Sequence, residues 1–328
     1  MVQKPNTEFQ AKQARLIHSI PKLSFGKRLK KDLKKNWVVY VIFLPVLLYV
    51  LLFNYAPLFG LVMAFQDFNV LKGVFGSSFN NFANFKTLFF RDNFGIVLRN
   101  TAGMALLNLT VGFIVPVIFA LLLSTIRHKR YKRVIQISSY IPYFISTVVV
   151  VALWKEFLDE GGVIANFLSW FGFRNQNWLA NNKVPVFWLI NTAIDIWVGF
   201  GYGAIIYCAA IANVNPNLHE AAAIDGAGEW KRMWHVSIPS IIPLVVTMLT
   251  LRIGTVFLQG FDKVLLLYSP SIYSTADCLT TYIYRIAFAG SADYGVSTAA
   301  GLFQSAIATT LLIISNYLNR KITKSSLF

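Results

Sequence analysis

Two charged side chains stand deep inside long apolar runs of this 328-residue chain: Asp195 in "FWLINTAIDIWVGFGYGAIIYCAAI" and Arg252 in "IIPLVVTMLTLRIGTVFLQGF". A charge surrounded by hydrocarbon is costly, so such residues point to a function, either as a buried pair or as part of a polar path. Two readings stay open. Asp195 and Arg252 neutralise each other or a neighbouring chain, or Arg252 faces a translocation path. In the second case its guanidinium would grip sugar hydroxyls or a uronate carboxylate through paired N–H groups. Trp197, Tyr202, Phe257, Gln259 and Asp262 stand nearby in sequence, and aromatic faces suit the stacking of sugar rings. Aromatic residues in apolar helices also serve as packing or interface anchors. Gly199, Gly201 and Gly203 are expected to loosen the backbone around them.

A second unusual stretch is polar: "EAAAIDGAGEWKRMWHVSIP", residues 220–239, between two apolar runs. Asn215 is a good N-cap and Pro216 suits the first helical position, so a helix starts there. It continues through Glu220, Ala221, Ala222 and Ala223, strong helix formers with little bulk, past Asp225 to Gly226, which can take a left-handed C-cap. Gly228 follows, and "EWKRMWHVSIP" restarts a helix. Small residues on an exposed helix leave room for another backbone to come close, which favours a docking surface; the plainer alternative is a loop packed on its own bundle.

Other chemistry is missing. The sequence has no G-x-x-x-x-G-K-[ST] phosphate loop, no H-E-x-x-H and no His or Cys cluster with metal spacing, so neither a catalytic constellation nor a metal site is expected. His18, His128, His219 and His235 read as surface residues, and "NLT" at Asn108 lies inside an apolar run, where glycosylation has no place. Cys208 and Cys278 fall on opposite sides of the expected topology and cannot pair.

The elements that hold these residues follow from hydropathy. The chain is 56% hydrophobic, 15% aromatic and only 13% charged, against about 25% charged in a soluble domain. Apolar runs near the ~20 residues needed to cross a bilayer are placed at 37–58, 97–125, 134–153, 187–211, 241–261 and 296–318. An all-α polytopic membrane protein with six transmembrane helices is therefore expected, since helices close their own backbone hydrogen bonds in lipid. On this reading Asp195 lies about 12 Å and Arg252 about 16 Å into their spans, both near mid-depth.

Between the spans lie outer segments at 59–96, 154–186 and 262–295. A basic tail, 1–36, precedes the spans, with Phe25, Leu29 and Leu33 spaced for an amphipathic helix on the inner leaflet; a short tail, 319–328, follows them. The formal charge of +16 is unevenly spread. Twenty of the thirty Lys and Arg, against five acids, fall in the first tail, "RHKRYKR", the 215–239 loop with Lys231 and Arg232, and the last tail. This is the positive-inside pattern, which puts both termini and the 215–239 loop in the cytoplasm and removes any need for nucleic acid as a partner.

Glu220, Ala221, Ala222 and Gly226, then nine residues, then Val236, Ile238 and Pro239, resemble the E-A-A-x-x-x-G-x9-I-x-L-P loop of binding-protein-dependent ABC importer permeases. "YAPLFGLVMAFQDFNV", "IPYFIS", "GFDKVLLLYSP", "TYIYRIAF" and "DYGVSTAAGLFQS" extend the resemblance to the maltose-type carbohydrate permeases. Within these it is most similar to subunits for pectin- and alginate-derived oligosaccharides. The resemblance implies the maltose-type permease fold, with 215–239 as the coupling loop that docks on an ATPase. It implies a second homologous permease, as a heterodimer, two ATPase subunits and a periplasmic or lipid-anchored solute-binding protein. ATP and Mg would be bound by the ATPase partners, with no cofactor in this chain, and the location would be the bacterial cytoplasmic (inner) membrane.

The competing class is a stand-alone secondary transporter or channel. A coupled carrier would usually show paired intramembrane acids and broken helices, whereas Asp195 is the carboxylate that falls clearly within an expected span.

Overall fold

The structure, a computed structural model, describes residues 25–258, 260–289 and 292–323. Two compact units are formed, Met1–Gly60 and Leu61–Phe328. In the first, Phe25–Lys35 is helical, and Leu29 and Leu33 are exposed. The helix stops at Asn36, whose side-chain amide donates to Asp32 Oδ1 at 2.6 Å while the Tyr40 hydroxyl donates to Asp32 Oδ2 at 2.5 Å. The apolar run then restarts as the helix Trp37–Val50, passing into a π-helical turn, Leu51–Tyr55, with no residue of either buried. The first span continues in 3-10 form beyond the expected Leu58 to Phe65.

In the second unit, Gln66–Asp67 and Ser78–Phe79 form a two-stranded antiparallel ribbon, with Gln66 opposite Phe79. The Asn84 side-chain amide holds the preceding backbone by donating to the carbonyls of Ala64 at 3.0 Å and Gln66 at 2.9 Å. Among the described residues, five helices are long and apolar enough to cross a membrane: Trp37–Phe65, Phe94–Thr125, Val186–Ala212, Glu229–Leu258 and Tyr294–Ile322. A bent pair makes a sixth if it is taken as one span.

That pair occupies the expected third span, 134–153. Lys129–Phe144 and Thr147–Ser169 meet at 100°. The local chemistry accounts for the break: Pro142 opens a 3-10 turn, Ile145 is extended, and the Ser146 side chain caps a new helix by accepting from the Val149 N–H. A proline lacks the N–H of the helix ladder, and a serine oxygen offers the following turn a ready acceptor. A second difference concerns the fifth span, whose helix begins at Glu229 and ends at Leu258. The segment "EWKRMWHVSIP" is therefore the first part of that span, through a π-helical turn at Met233–Ser237. The last helix likewise runs to Thr323, beyond the expected end at 318.

Lipid offers no hydrophobic drive for helices to associate, so close packing of small residues must hold them together. Ala120, Ala204, Ala299 and Ala300 are fully buried. Gly201 was expected to loosen its helix and instead allows a close approach: a Cβ there would lie 2.1 Å from the Ser139 carbonyl oxygen. The helix Val186–Ala212 runs through all three glycines without interruption.

Candidate functional site

A cavity of about 290 Å³ opens among the second, fourth and fifth spans, lined by Asn108, Tyr143, Asp195, Gly199, Arg252 and Phe257 among others. Asn108 opens a π-helical turn, Asn108–Gly112, within the second span. The widened turn leaves its amide central to a polar chain. Asn108 Nδ2 donates to Asp195 Oδ2 at 3.1 Å, and Arg252 Nε donates to Asn108 Oδ1 at 3.0 Å, joined by Arg252 Nη2 on the same oxygen. Asp195 and Arg252 are thus linked through an amide and not paired directly.

The direct partner of Asp195 is Lys263. Its Nζ lies 2.5 Å from Asp195 Oδ1 and donates to the Asn191 carbonyl at 2.9 Å. The backbone turn that delivers Lys263 follows the fifth span, where Gly260 adopts φ 86° and starts the short helix Phe261–Leu267. That left-handed conformation suits glycine. Lys263 is buried, while the Asp195 side chain keeps about a third of its exposure through the cavity.

The other residues of the expected path separate. Phe257 lines the cavity. Trp197 packs edge-on against Trp154, 6.1 Å between centroids, beside a hydrophobic cluster, and does not line it. Tyr202 is stacked flat on Tyr143 at 3.8 Å, so it supports a ring that does line the cavity. Asp262 is exposed and borders a separate space of about 250 Å³ that also touches Asp195 and Lys263. Gln259 lies outside the described residues.

At the polar stretch the sequence expectation and the geometry coincide. The Asn215 side chain accepts from the Asn217 N–H at 3.0 Å, Pro216 takes the first turn, and the helix spans Pro216–Ile224. It ends in a Schellman arrangement: Ala227 N–H donates to Ala222 O at 2.9 Å, Gly226 N–H to Ala223 O at 3.0 Å, with Gly226 at φ 78°. Glu220, Ala221, Ala223, Asp225, Gly226 and Gly228 are exposed and Ala222 half-buried. The next helix is anchored by Glu229, which accepts from Arg127 Nε at 3.0 Å and pairs with Arg232 at 3.0 Å.

Residues 112–324 match the family model described as the binding-protein-dependent transport system inner membrane component. The chain belongs to this family. Among curated relatives, it is 36% identical to the polygalacturonan/rhamnogalacturonan transport system permease protein YteP of Bacillus subtilis (strain 168), over 92% of this chain and 94% of that protein. It is 35% identical to Protein LplB of the same organism, over 94% and 97%. Among solved structures it is similar to a chain of a bacterial alginate ABC transporter in complex with an alginate pentasaccharide-bound periplasmic protein. There the TM-score is 0.82 and the identity 36%, covering 92% of this chain and 100% of that one.

Within this permease the sequence reading missed Asn108 and Lys263. Asn108 was set aside with its sequon; the available signal was an amide inside an apolar run, one helix away from two charges. Lys263 follows the fifth span in a segment read as an outer loop, and a lysine there carries no mark of burial.

Proposed function

We propose that this chain is the membrane permease subunit of an ABC importer that carries an oligosaccharide from an external binding protein into the cytoplasm. Its substrate is an acidic, uronate-containing oligosaccharide of the alginate or pectin kind, in keeping with what the relatives' names say of those proteins. A second, unlike permease completes the path in the bacterial inner membrane, and two separate ATPase subunits bind ATP and Mg and hydrolyse the nucleotide. The helix Pro216–Ile224 docks on one of them from the cytoplasmic side, so that closure of the ATPase pair moves the spans and alternates access to the cavity. Arg252 faces the substrate.

The observation that carries this reading is the exposed, alanine-faced helix Pro216–Ile224, stopped by Gly226 and joined through Glu229 to the start of a span. Ala221→Arg with Ala223→Arg keeps helix propensity and changes only exposed positions. Purified with its partners, this variant is expected to retain the second permease and lose the ATPase. Uptake by the wild-type chain alone in vesicles would instead establish a stand-alone carrier. For the path, Arg252→Ala is expected to cut ligand-stimulated ATP hydrolysis by roughly tenfold or more, the scale of a lost charged hydrogen bond; undiminished stimulation would take Arg252 out of it.

A further inference from the structure

Among the described residues lining the cavity, Asp195 and Arg252 are the charged ones. Their charges would cancel if Lys263 were absent. Lys263 does not line this cavity, yet its ammonium sits on Asp195 Oδ1 while Asn108 occupies Asp195 Oδ2. Both oxygens of the carboxylate are therefore committed. Arg252 is held at Nε and Nη2 by the neutral Asn108, and its Nη1 has no partner among the described residues. Asp262, the other nearby acid, is exposed on the separate space, where solvent screens it.

We infer that Lys263 sets the charge preference of the path: by neutralising Asp195 it leaves Arg252 as an uncompensated cation, and the permease thereby favours uronate oligosaccharides over neutral ones. The inference rests on the importer reading above and assigns Lys263 a positioning role, acting through Asp195 without touching substrate. Unit charges in a partly solvated interior interact strongly enough at several ångströms to shift such a preference roughly tenfold.

The test uses the complete complex in proteoliposomes, with the binding protein saturated by a uronate oligosaccharide or by its carboxyl-reduced counterpart, and reads the ratio of the two uptake rates. Wild type is expected to favour the acid. Lys263→Gln should lower the ratio roughly tenfold, and adding Asp195→Asn should restore it, because the cavity regains its net positive charge. Arg252→Gln should abolish the preference in the wild-type and the doubly substituted background alike. A merely structural lysine would not produce rescue by removal of its own partner. Equal uptake by wild type, an unmoved ratio in Lys263→Gln, or no restoration in the double variant overturns the inference.

If Lys263→Gln alone fails to assemble because Asp195 is left unpaired, the double variant carries the test. Dependence of its ratio on Arg252 supports the inference and indifference overturns it. Wild-type complex that takes up neither sugar and shows no stimulated ATP hydrolysis overturns the importer reading itself.

Discussion

Asp277 shows how a charge is held away from the interior cavity. It is almost fully buried, accepts from Thr281 Oγ1 at 2.8 Å and pairs with Arg285, whose guanidinium also lies 4.7 Å from the Tyr273 ring centroid. Burial outweighs the attraction of Arg285 and holds the carboxyl above the usual carboxylate range. A carboxyl raised in the folded state contributes stability that is fully present below its unfolded pKa and is lost as the pH rises through the folded value. The melting temperature of the wild type relative to Asp277→Asn should therefore fall as the pH rises from about 4 to about 7; thermal unfolding in detergent checks the sign. Charged residues in apolar surroundings, such as Asp195 and Arg252, were legible because they are expensive there. Their go-betweens were not: Asn108 and Lys263 owe their places to packing across distant segments, which no local pattern encodes.

The helix Pro216–Ile224 was readable because each of its ends is written in residue types, an asparagine and proline at the start and a glycine at the stop. At its stop, Gly226 holds φ 78°, where a side chain is strained. Substitution should weaken retention of the ATPase in the order Asn, Ala, Val, since asparagine tolerates the left-handed region and a β-branched residue does not. Other residues cost roughly 1–2 kcal/mol there, and pull-down of the assembled complex measures the order. The 100° bend between Lys129–Phe144 and Thr147–Ser169 was hidden for the opposite reason. Hydropathy stays high across 134–153, and one serine cap beside a proline turn decides the backbone without changing the average.

The number of apolar runs and the uneven spread of basic residues fix the expectation that both tails and the Pro216–Ile224 helix share one side of the membrane. Two highly exposed positions make this measurable: Ile224, 86% exposed, and Leu71, 96% exposed. In a background lacking Cys208 and Cys278, a cysteine at Ile224 should react with a membrane-impermeant maleimide only in inside-out vesicles, and one at Leu71 only in right-side-out cells. Reversed labelling would invert the topology. The fold class was legible from composition because lipid admits few architectures, whereas the arrangement of spans around the cavity depends on alanine and glycine contacts that hydropathy treats as neutral.

The stretch Trp37–Tyr55, in which no residue is buried, has a biosynthetic corollary. Side chains of that kind are met in a bilayer by lipid tails or by companions synthesised alongside. An orphan copy translated without those companions would be left with lipid alone along this face, and a shorter lifetime of that copy in the cell than of the assembled chain would show that partners cover it.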